Sequence, residues 1–243
     1  MKVVILAGGL GTRLSELTKV TPKPMVRIGK YPILIYILKH YSNYGFKDFI
    51  LATGYKKEIF AQYFKNFKKF GRQFKSKIFK TNCNITILNT GNYTMTGGRL
   101  KRTLKFILPD KDFMFTYGDG ISNVNINKLY KYHKKKNKTV TVTAVRPPAR
   151  FGEIIIKKNI VKSFKEKPQV TNGWINGGYF VAKTGFLKFI KGDKDILEKK
   201  PLEKVCKKKQ LSAFKHEGFW KCMDVKRDKD ELEKIYRKTK FKW

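Results

Sequence analysis

Acidic residues are scarce in this chain. Asp and Glu total 18 against 55 Lys and Arg, which leaves a formal net charge of +37 over 243 residues. Cysteine is rarer still. Cys83, Cys206 and Cys222 are far apart, odd in number and never arranged as C-x-x-C, which excludes a disulfide framework and a zinc knuckle and leaves buried or incidental thiols. No apolar run approaches the roughly 18 residues that a membrane-spanning helix needs. The apolar run at 3–7 stops at Gly8-Gly9, too short for the core of a secretory leader. These absences predict a cytoplasmic protein with no membrane partner.

What remains is enough for a folded core, since 41% of residues are apolar. The positive charge fits a nucleic-acid binder or an enzyme of anionic substrates. It also fits coding bias, because Lys, Ile, Asn, Phe and Tyr, the residues of A- and T-rich codons, are all abundant. The lysines are spread along the whole chain. The densest runs, at 134–136 and 207–209, fall where helices should end in solvent, so a solvated face explains them and no specific nucleic-acid partner is implied. Weak binding of free nucleic acid is expected only as a side effect of the net field.

Hydrophobic periodicity predicts alternating elements. Strands are expected at 2–7, 48–53, 84–88, 112–117 and 139–146, with helices at 33–44, 56–67, 97–108 and 126–136. Pro32 and Gly45 punctuate the first helix. The order implies βαβ units, hence an α/β fold with a mostly parallel sheet and helices on both faces. After Pro147-Pro148 the pattern changes to shorter, hairpin-like strands at 151–156, 160–164 and 178–183. Helical patches at 185–191 and 202–209, a strand at 211–216 and a helix at 227–239 complete the chain. With neither repeat nor linker, 1–243 reads as a single domain, in which 1–146 form one half and 147–243 a second half and C-terminal elaboration.

Ligands of open parallel sheets bind beyond the carboxyl ends of the strands. The loop after the first strand reads Ala7-Gly8-Gly9-Leu10-Gly11-Thr12-Arg13-Leu14. Its glycines let backbone N–H groups approach phosphate oxygens, and Arg13 can add a forked donor. It lacks the G-K-[ST] of a P-loop, and Leu14 stands where a dinucleotide fingerprint needs its third glycine. A plain tight turn stays open on this loop alone. Further on, Thr21-Pro22-Lys23-Pro24-Met25 sets a lysine between two prolines, which restrict its backbone and can aim it at a phosphate. A solvent lysine in a proline-rich turn is the alternative.

Leu6 to Leu14 together with Thr21-Pro22-Lys23-Pro24-Met25 resembles the signature of the sugar-nucleotide pyrophosphorylases. Thr94-Met95-Thr96-Gly97-Gly98-Arg99-Leu100-Lys101-Arg102 is similar to the branch of that family that uses CTP and glucose 1-phosphate. So are Tyr117-Gly118-Asp119-Gly120, Arg146-Pro147-Pro148, Arg150-Phe151-Gly152, Trp174-Ile175-Asn176-Gly177-Gly178, Gly218-Phe219-Trp220 and Met223-Asp224. The resemblance implies a Rossmann-like sheet with a sugar-binding half. It implies that Leu6, Ala7, Gly8, Gly9, Leu10, Gly11, Thr12 and Arg13 wrap the nucleotide with Lys23, Thr94, Arg99 and Gly118, and that Arg13 and Lys23 serve catalysis. Asp119 and Asp224 would hold Mg²⁺, which favours a few carboxylates plus substrate oxygens. Glu166, Lys167, Asn176, Gly177 and Gly178 would bind the sugar phosphate. The implied product is CDP-glucose for surface polysaccharide, made by a homo-oligomer. The same reaction with dTTP or UTP, and an inactive basic binding protein on this fold, are the alternatives. His40, His133 and His216 match no motif and receive no role.

Overall fold

The computed structural model describes residues 1–65, 68–70, 73–75, 82–108, 110–147, 153–165 and 173–241. Its centre is a sheet that begins with β1 (Lys2–Leu6), β2 (Asp48–Thr53), β3 (Cys83–Asn89) and β4 (Asp112–Tyr117). Later in the chain come β5 (Val140–Val145), β6 (Ile175–Lys183) and β7 (Leu211–His216). Among the described residues the sheet runs β7-β5-β6-β4-β1-β2-β3, with the short strands Gln73–Lys75 and Lys68–Phe70 beyond β3. The pairs β3–β2, β2–β1, β1–β4 and β5–β7 are parallel. Strand β6 is antiparallel to both of its neighbours.

The central strands are apolar on both faces because helices cover both. Val3 and Ile5 of β1 join a core with Leu34, Ile37 and Leu38 of α1 (Ile33–Asn43), Phe60 of α2 (Lys57–Lys65) and Leu129 of α4 (Ile126–Lys136). Val4 and Leu6 point the other way, into a core with Leu100 of α3 (Thr96–Arg102) and Val205 of α5 (Lys200–Lys207). The helix α6 (Lys226–Thr239) seats Leu232 in a third cluster with Leu14, Ile33, Ile121 and Met223. This third core ties the first loop, α1 and the C-terminal segment together. Each fully buried aliphatic side chain in it contributes on the order of 1.5–3 kcal/mol.

Local punctuation follows the expected chemistry. Gly45 ends α1 with φ 88°, a left-handed position that a side chain would strain. Asn125 caps α4 by accepting from the Lys128 N–H at 2.9 Å. Lysines 134–136 end α4 in solvent, and 207–209 do the same at α5.

Two expectations are corrected. The helix at 97–108 is two pieces, α3 and Leu104–Ile107. Between them the Thr103 hydroxyl donates to the Leu100 carbonyl at 2.7 Å, and the Thr103 N–H takes the same carbonyl at 3.1 Å, which tightens the turn. The segment at 178–183 is not part of a peripheral hairpin. It lies in β6, inside the main sheet between β4 and β5, and 177–182 are buried without interruption, the pattern of a central strand. Only Glu153–Lys157 and Ile160–Lys165 form the separate hairpin. Phe151 and the end of the 56–67 helix, including Phe67, lie outside the described residues, as does most of the basic segment 64–82. Among the described residues, no helix is long and apolar enough to cross a membrane.

Candidate functional site

The carboxyl ends of β1 and β4 open into a cleft of about 560 Å³. Its floor is the loop after β1. Leu14 is buried and anchors the loop, while Gly9, Leu10, Thr12 and Arg13 face outward into the cleft. Gly11 has φ 68°, and a Cβ there would lie 2.9 Å from Thr18 Cγ2. The Thr18 hydroxyl closes the loop by bonding the carbonyls of Gly11 and Leu14, both at 3.0 Å. The loop is therefore a built cradle with its outward face free for a ligand.

Lys23 sits above this cradle. Pro22 and Pro24 are buried, and Pro22 is extended at φ −62°, ψ 143°. The lysine is not the solvent side chain that its surroundings allowed: only 13% of it is exposed. Its Nζ lies 2.7 Å from Asp119 Oδ2 and 2.7 Å from Asp224 Oδ1. Burial works against its charge, but the two carboxylates outweigh burial and raise its pKa. Arg13 reaches Asp224 from the other side, Nη1 to Oδ2 at 3.0 Å, and remains 75% exposed.

The aspartates are 105 positions apart and meet through backbone pairing. Gly120–Ser122 pairs antiparallel with Trp220–Cys222, and the Met223 N–H donates to the Asp119 carbonyl at 2.9 Å. Asp224 is then fixed by Asp228, whose Oδ2 accepts from the N–H groups of Asp224 at 2.9 Å and Val225 at 3.0 Å. Lys221 Nζ pairs with the same carboxylate at 3.2 Å. Gly118 permits the junction of β4 with the loop, since a Cβ on it would lie 2.8 Å from Pro24 Cγ.

Thr94 and Arg99 form the opposite wall. Thr94 is buried, and Arg99 is 3% exposed. The Arg99 guanidinium is already committed: it donates to Thr90 Oγ1 at 2.8 Å and to the carbonyls of Gly91 at 2.7 Å and Asn92 at 3.2 Å. It also fills the space beside Gly8, where a Cβ would lie 2.1 Å from Nη1. A further bond to the Thr53 carbonyl at 3.2 Å lets Arg99 shape the wall by tying the ends of β2 and β3 together beside the first loop.

A small side cavity of about 30 Å³ adjoins Asp119. Asn176, Gly177 and Gly178 line it with Tyr117 and Trp220. Asn176 donates to Tyr117 Oη at 3.3 Å and accepts from the Gly178 N–H at 2.8 Å, while Trp220 Nε1 donates to the Gly177 carbonyl at 2.7 Å. Gly178 has φ 81° and lies against the Tyr117 ring. Glu166 and Lys167 lie outside the described residues.

Two side chains outside the motifs, Asp228 and Glu198, belong to this site, as does Tyr117, which stands in a motif without an assigned role. Asp228 orients Asp224, Tyr117 separates the cleft from the side cavity, and Glu198 lines the cleft. Burial and the Glu198 carboxylate push the Tyr117 phenol well up, so it stays a donor. The histidines are accounted for by the scaffold. His40 is buried against the Val124 carbonyl at 2.8 Å, burial lowering its pKa to about 4, and His133 meets Thr141 Oγ1 at 2.8 Å. His216 Nε2 lies 3.2 Å from the Phe219 carbonyl. Among the described residues no cysteine is in a disulfide; Cys83 is buried, Cys206 is exposed and burial pushes Cys222 up to about 11.

Residues 2–225 match the family model described as nucleotidyl transferase. The chain is 44% identical to glucose-1-phosphate cytidylyltransferase of Salmonella typhimurium, over 100% of this chain and 98% of that one. It is 36% identical to the probable glucose-1-phosphate cytidylyltransferase of Bacillus subtilis, over 100% and 99%. Among solved structures, HddC of Yersinia pseudotuberculosis complexed with GMP-PN superposes with a TM-score of 0.74 at 23% identity, covering 97% of this chain and 99% of that one, a likeness of fold.

Proposed function

The chain belongs to the nucleotidyl transferase family, and from that premise we propose that it makes CDP-glucose and pyrophosphate from CTP and α-D-glucose 1-phosphate. One observation carries the reading: Arg13, Lys23, Asp119 and Asp224, drawn from three distant parts of the chain, meet in one cleft at the strand ends. The relatives at 44% and 36% identity share this activity by name and span nearly their whole length with the chain.

Asp119 and Asp224 fit a hard divalent cation. Their carboxylates already converge on a single cationic atom, Lys23 Nζ, at 2.7 Å each. Among the described residues no group of three or more His, Cys, Asp or Glu gathers there, which leaves the other coordination positions to water and substrate oxygens, as Mg²⁺ prefers. When bound, the ion neutralises phosphate charge and stabilises the leaving pyrophosphate.

The residues do the rest by position and charge. The nucleotide lies in the cleft with its triphosphate on the exposed loop 9–13. An oxygen of the sugar phosphate attacks the α-phosphorus, a new P–O bond forms, and the bond to the β-phosphate breaks with its electron pair leaving on pyrophosphate. The nucleophile is already an anion, so no strong general base is needed. The barrier is repulsion between two anions, and Arg13 and Lys23 lower it by electrostatic stabilisation. Arg13 is exposed enough to exchange the Asp224 carboxylate for a phosphate. Lys167, outside the described residues, supplies a further cation for the sugar phosphate, and Asn176 with Gly177 and Gly178 borders the hexose.

The deciding assay offers CTP, UTP, dTTP and GTP in turn with glucose 1-phosphate and Mg²⁺, and follows pyrophosphate release. CTP is expected to win clearly. A preference for dTTP or UTP would overturn the choice of base, and no release with any of the four would overturn the reaction.

A further inference from the structure

Glu198 is a carboxylate in the nucleotide cleft that the proposed reaction does not use. It belongs to a segment fastened to the start of α3. The Met95 N–H donates to the Asp193 carbonyl at 2.8 Å, the Gly97 N–H to the Asp195 carbonyl at 2.9 Å, and the Leu197 N–H to Thr96 Oγ1 at 2.9 Å. Two hydroxyls then aim the carboxylate. Thr96 Oγ1 donates to Oε2 at 2.8 Å, and Tyr117 Oη donates to Oε1 at 2.5 Å. Each oxygen thus accepts one bond and keeps a free lone pair, and the side chain is exposed at the cleft.

Its charge restricts what it can face. The chain carries 55 Lys and Arg, yet among the described residues none forms an ion pair with Glu198. An unpaired carboxylate repels phosphates, so it must address a neutral part of a substrate. The phosphate end of the cleft is marked by Arg13, Lys23 and Asp119, and the opposite wall by Thr94 and the loop around Asn92. Thr96 is two positions from Thr94 and Tyr117 two positions from Asp119, so Glu198, bonded to both, is tethered to the wall and to the phosphate end alike. In a nucleoside triphosphate the group between base and phosphates is the pentose. Under the proposed function the hexose is assigned to the other side of the site, where Tyr117 also lines the small cavity with Asn176 and Gly178.

We infer that Glu198 is a specificity-determining residue that accepts hydrogen bonds from the ribose hydroxyls of the nucleotide, so that the enzyme selects ribonucleotides over 2′-deoxyribonucleotides. The inference rests on the proposed function to the extent that a nucleotide occupies this cleft. A carboxylate with two free lone pairs matches a vicinal diol, and removing the 2′-hydroxyl deletes one charge-assisted bond. A bond of that kind corresponds to about tenfold to hundredfold in affinity.

The test compares wild type, Glu198→Gln and Glu198→Ala with CTP and dCTP. It measures kcat/KM by pyrophosphate release, nucleotide affinity by calorimetry, and KM for glucose 1-phosphate. Wild type is expected to favour CTP over dCTP by about tenfold to hundredfold. In Glu198→Ala that ratio should collapse to within about threefold, through loss with CTP and not with dCTP, while KM for glucose 1-phosphate stays put. Glu198→Gln keeps the shape and an acceptor oxygen, so it should fold as wild type and retain an intermediate ratio. Equal losses with both nucleotides, no ribose preference in wild type, or a change confined to glucose 1-phosphate would each overturn the assignment. If wild type turns over a different triphosphate, the proposed base is wrong and the same ratio is measured on that nucleotide and its 2′-deoxy form. If none is turned over, the proposed reaction is wrong and the calorimetric ratio still decides the role of Glu198.

Discussion

At the scale of single residues, the decisive feature is one ammonium shared by two carboxylates. Lys23 Nζ bridges Asp119 and Asp224, and Arg13 holds the second aspartate from outside. Each member depends on the others for its charge state and position. We expect Lys23→Ala and Asp119→Ala each to lower turnover by about a hundredfold or more, the scale for losing one preorganised charge contact. The double variant should lose far less than the product of the two, because groups that act as a unit are not additive. Pyrophosphate release from the four proteins measures this, and near-wild-type turnover in either single variant would remove that residue from the mechanism. The raised pKa of Lys23 keeps it charged through the neutral range, so it should add no step to the rate profile near pH 7. Arg13 and Lys23 were legible in the sequence because each lies in a glycine- or proline-bounded motif with a local conformational reason, whereas Asp119 and Asp224 were picked out through the family resemblance. Glu198 and Asp228 were not, because each is one of several acids interspersed with lysines, and what gives it meaning is a partner 102 positions away at Thr96 or the backbone it caps.

At the scale of elements, the site depends on how α6 is seated. Asp228 lies in its first turn and holds the N–H groups of Asp224 and Val225. Burial alone would raise the pKa of Asp228, but those two donors and Lys221 outweigh it and bring it below its ordinary 3.8. A carboxyl whose folded pKa is depressed stabilises the fold above its unfolded pKa, and that stability is lost as pH falls through the folded value. Asp228→Asn should therefore cost on the order of 1–2 kcal/mol near pH 7. The difference from wild type should shrink as pH drops below 3.8. Urea unfolding across pH reads this directly; a gap that stays constant into acid would exclude an ionic role. The same variant should weaken the apparent Mg²⁺ dependence of turnover, since Asp224 loses its anchor. Strand and helix periodicity predicted β1, β2, β4, α1 and α4 closely because each buries a clear apolar run or stripe. It misplaced the segment at 178–183, since a short buried run says nothing about whether it pairs at the edge or in the middle of a sheet. The place of β6 is set by its antiparallel partners, which are distant in sequence.

At the scale of the whole molecule, the net charge of +37 is a field and not a site. Lysines cap the exposed ends of α4 and α5 and are distributed over the entire sequence, which is the pattern of a diffuse field. Yet the field acts on every small anion that approaches. Both proposed substrates are multiply charged anions, and the cleft proposed to receive them is lined by the exposed Arg13 and the largely buried Lys23. Attraction over such distances accelerates encounter by about tenfold to a thousandfold, and it is screened over a Debye length of about 10 Å at 0.1 M salt. Substrates bound as proposed would sit against Lys23, which is largely shielded from bulk ions. The two stages should therefore separate in an experiment. Between about 30 and 300 mM NaCl, kcat/KM is expected to fall by about tenfold or more, while kcat changes by less than about twofold. Steady-state rates at saturating and limiting CTP, with Mg²⁺ held constant, provide both numbers. If kcat/KM does not respond to salt, the surplus lysines play no part in substrate capture, and coding bias alone accounts for them. If kcat falls in parallel, the salt is reaching the Lys23–Asp119–Asp224 cluster itself, and the shielding inferred from its burial is absent in the working enzyme.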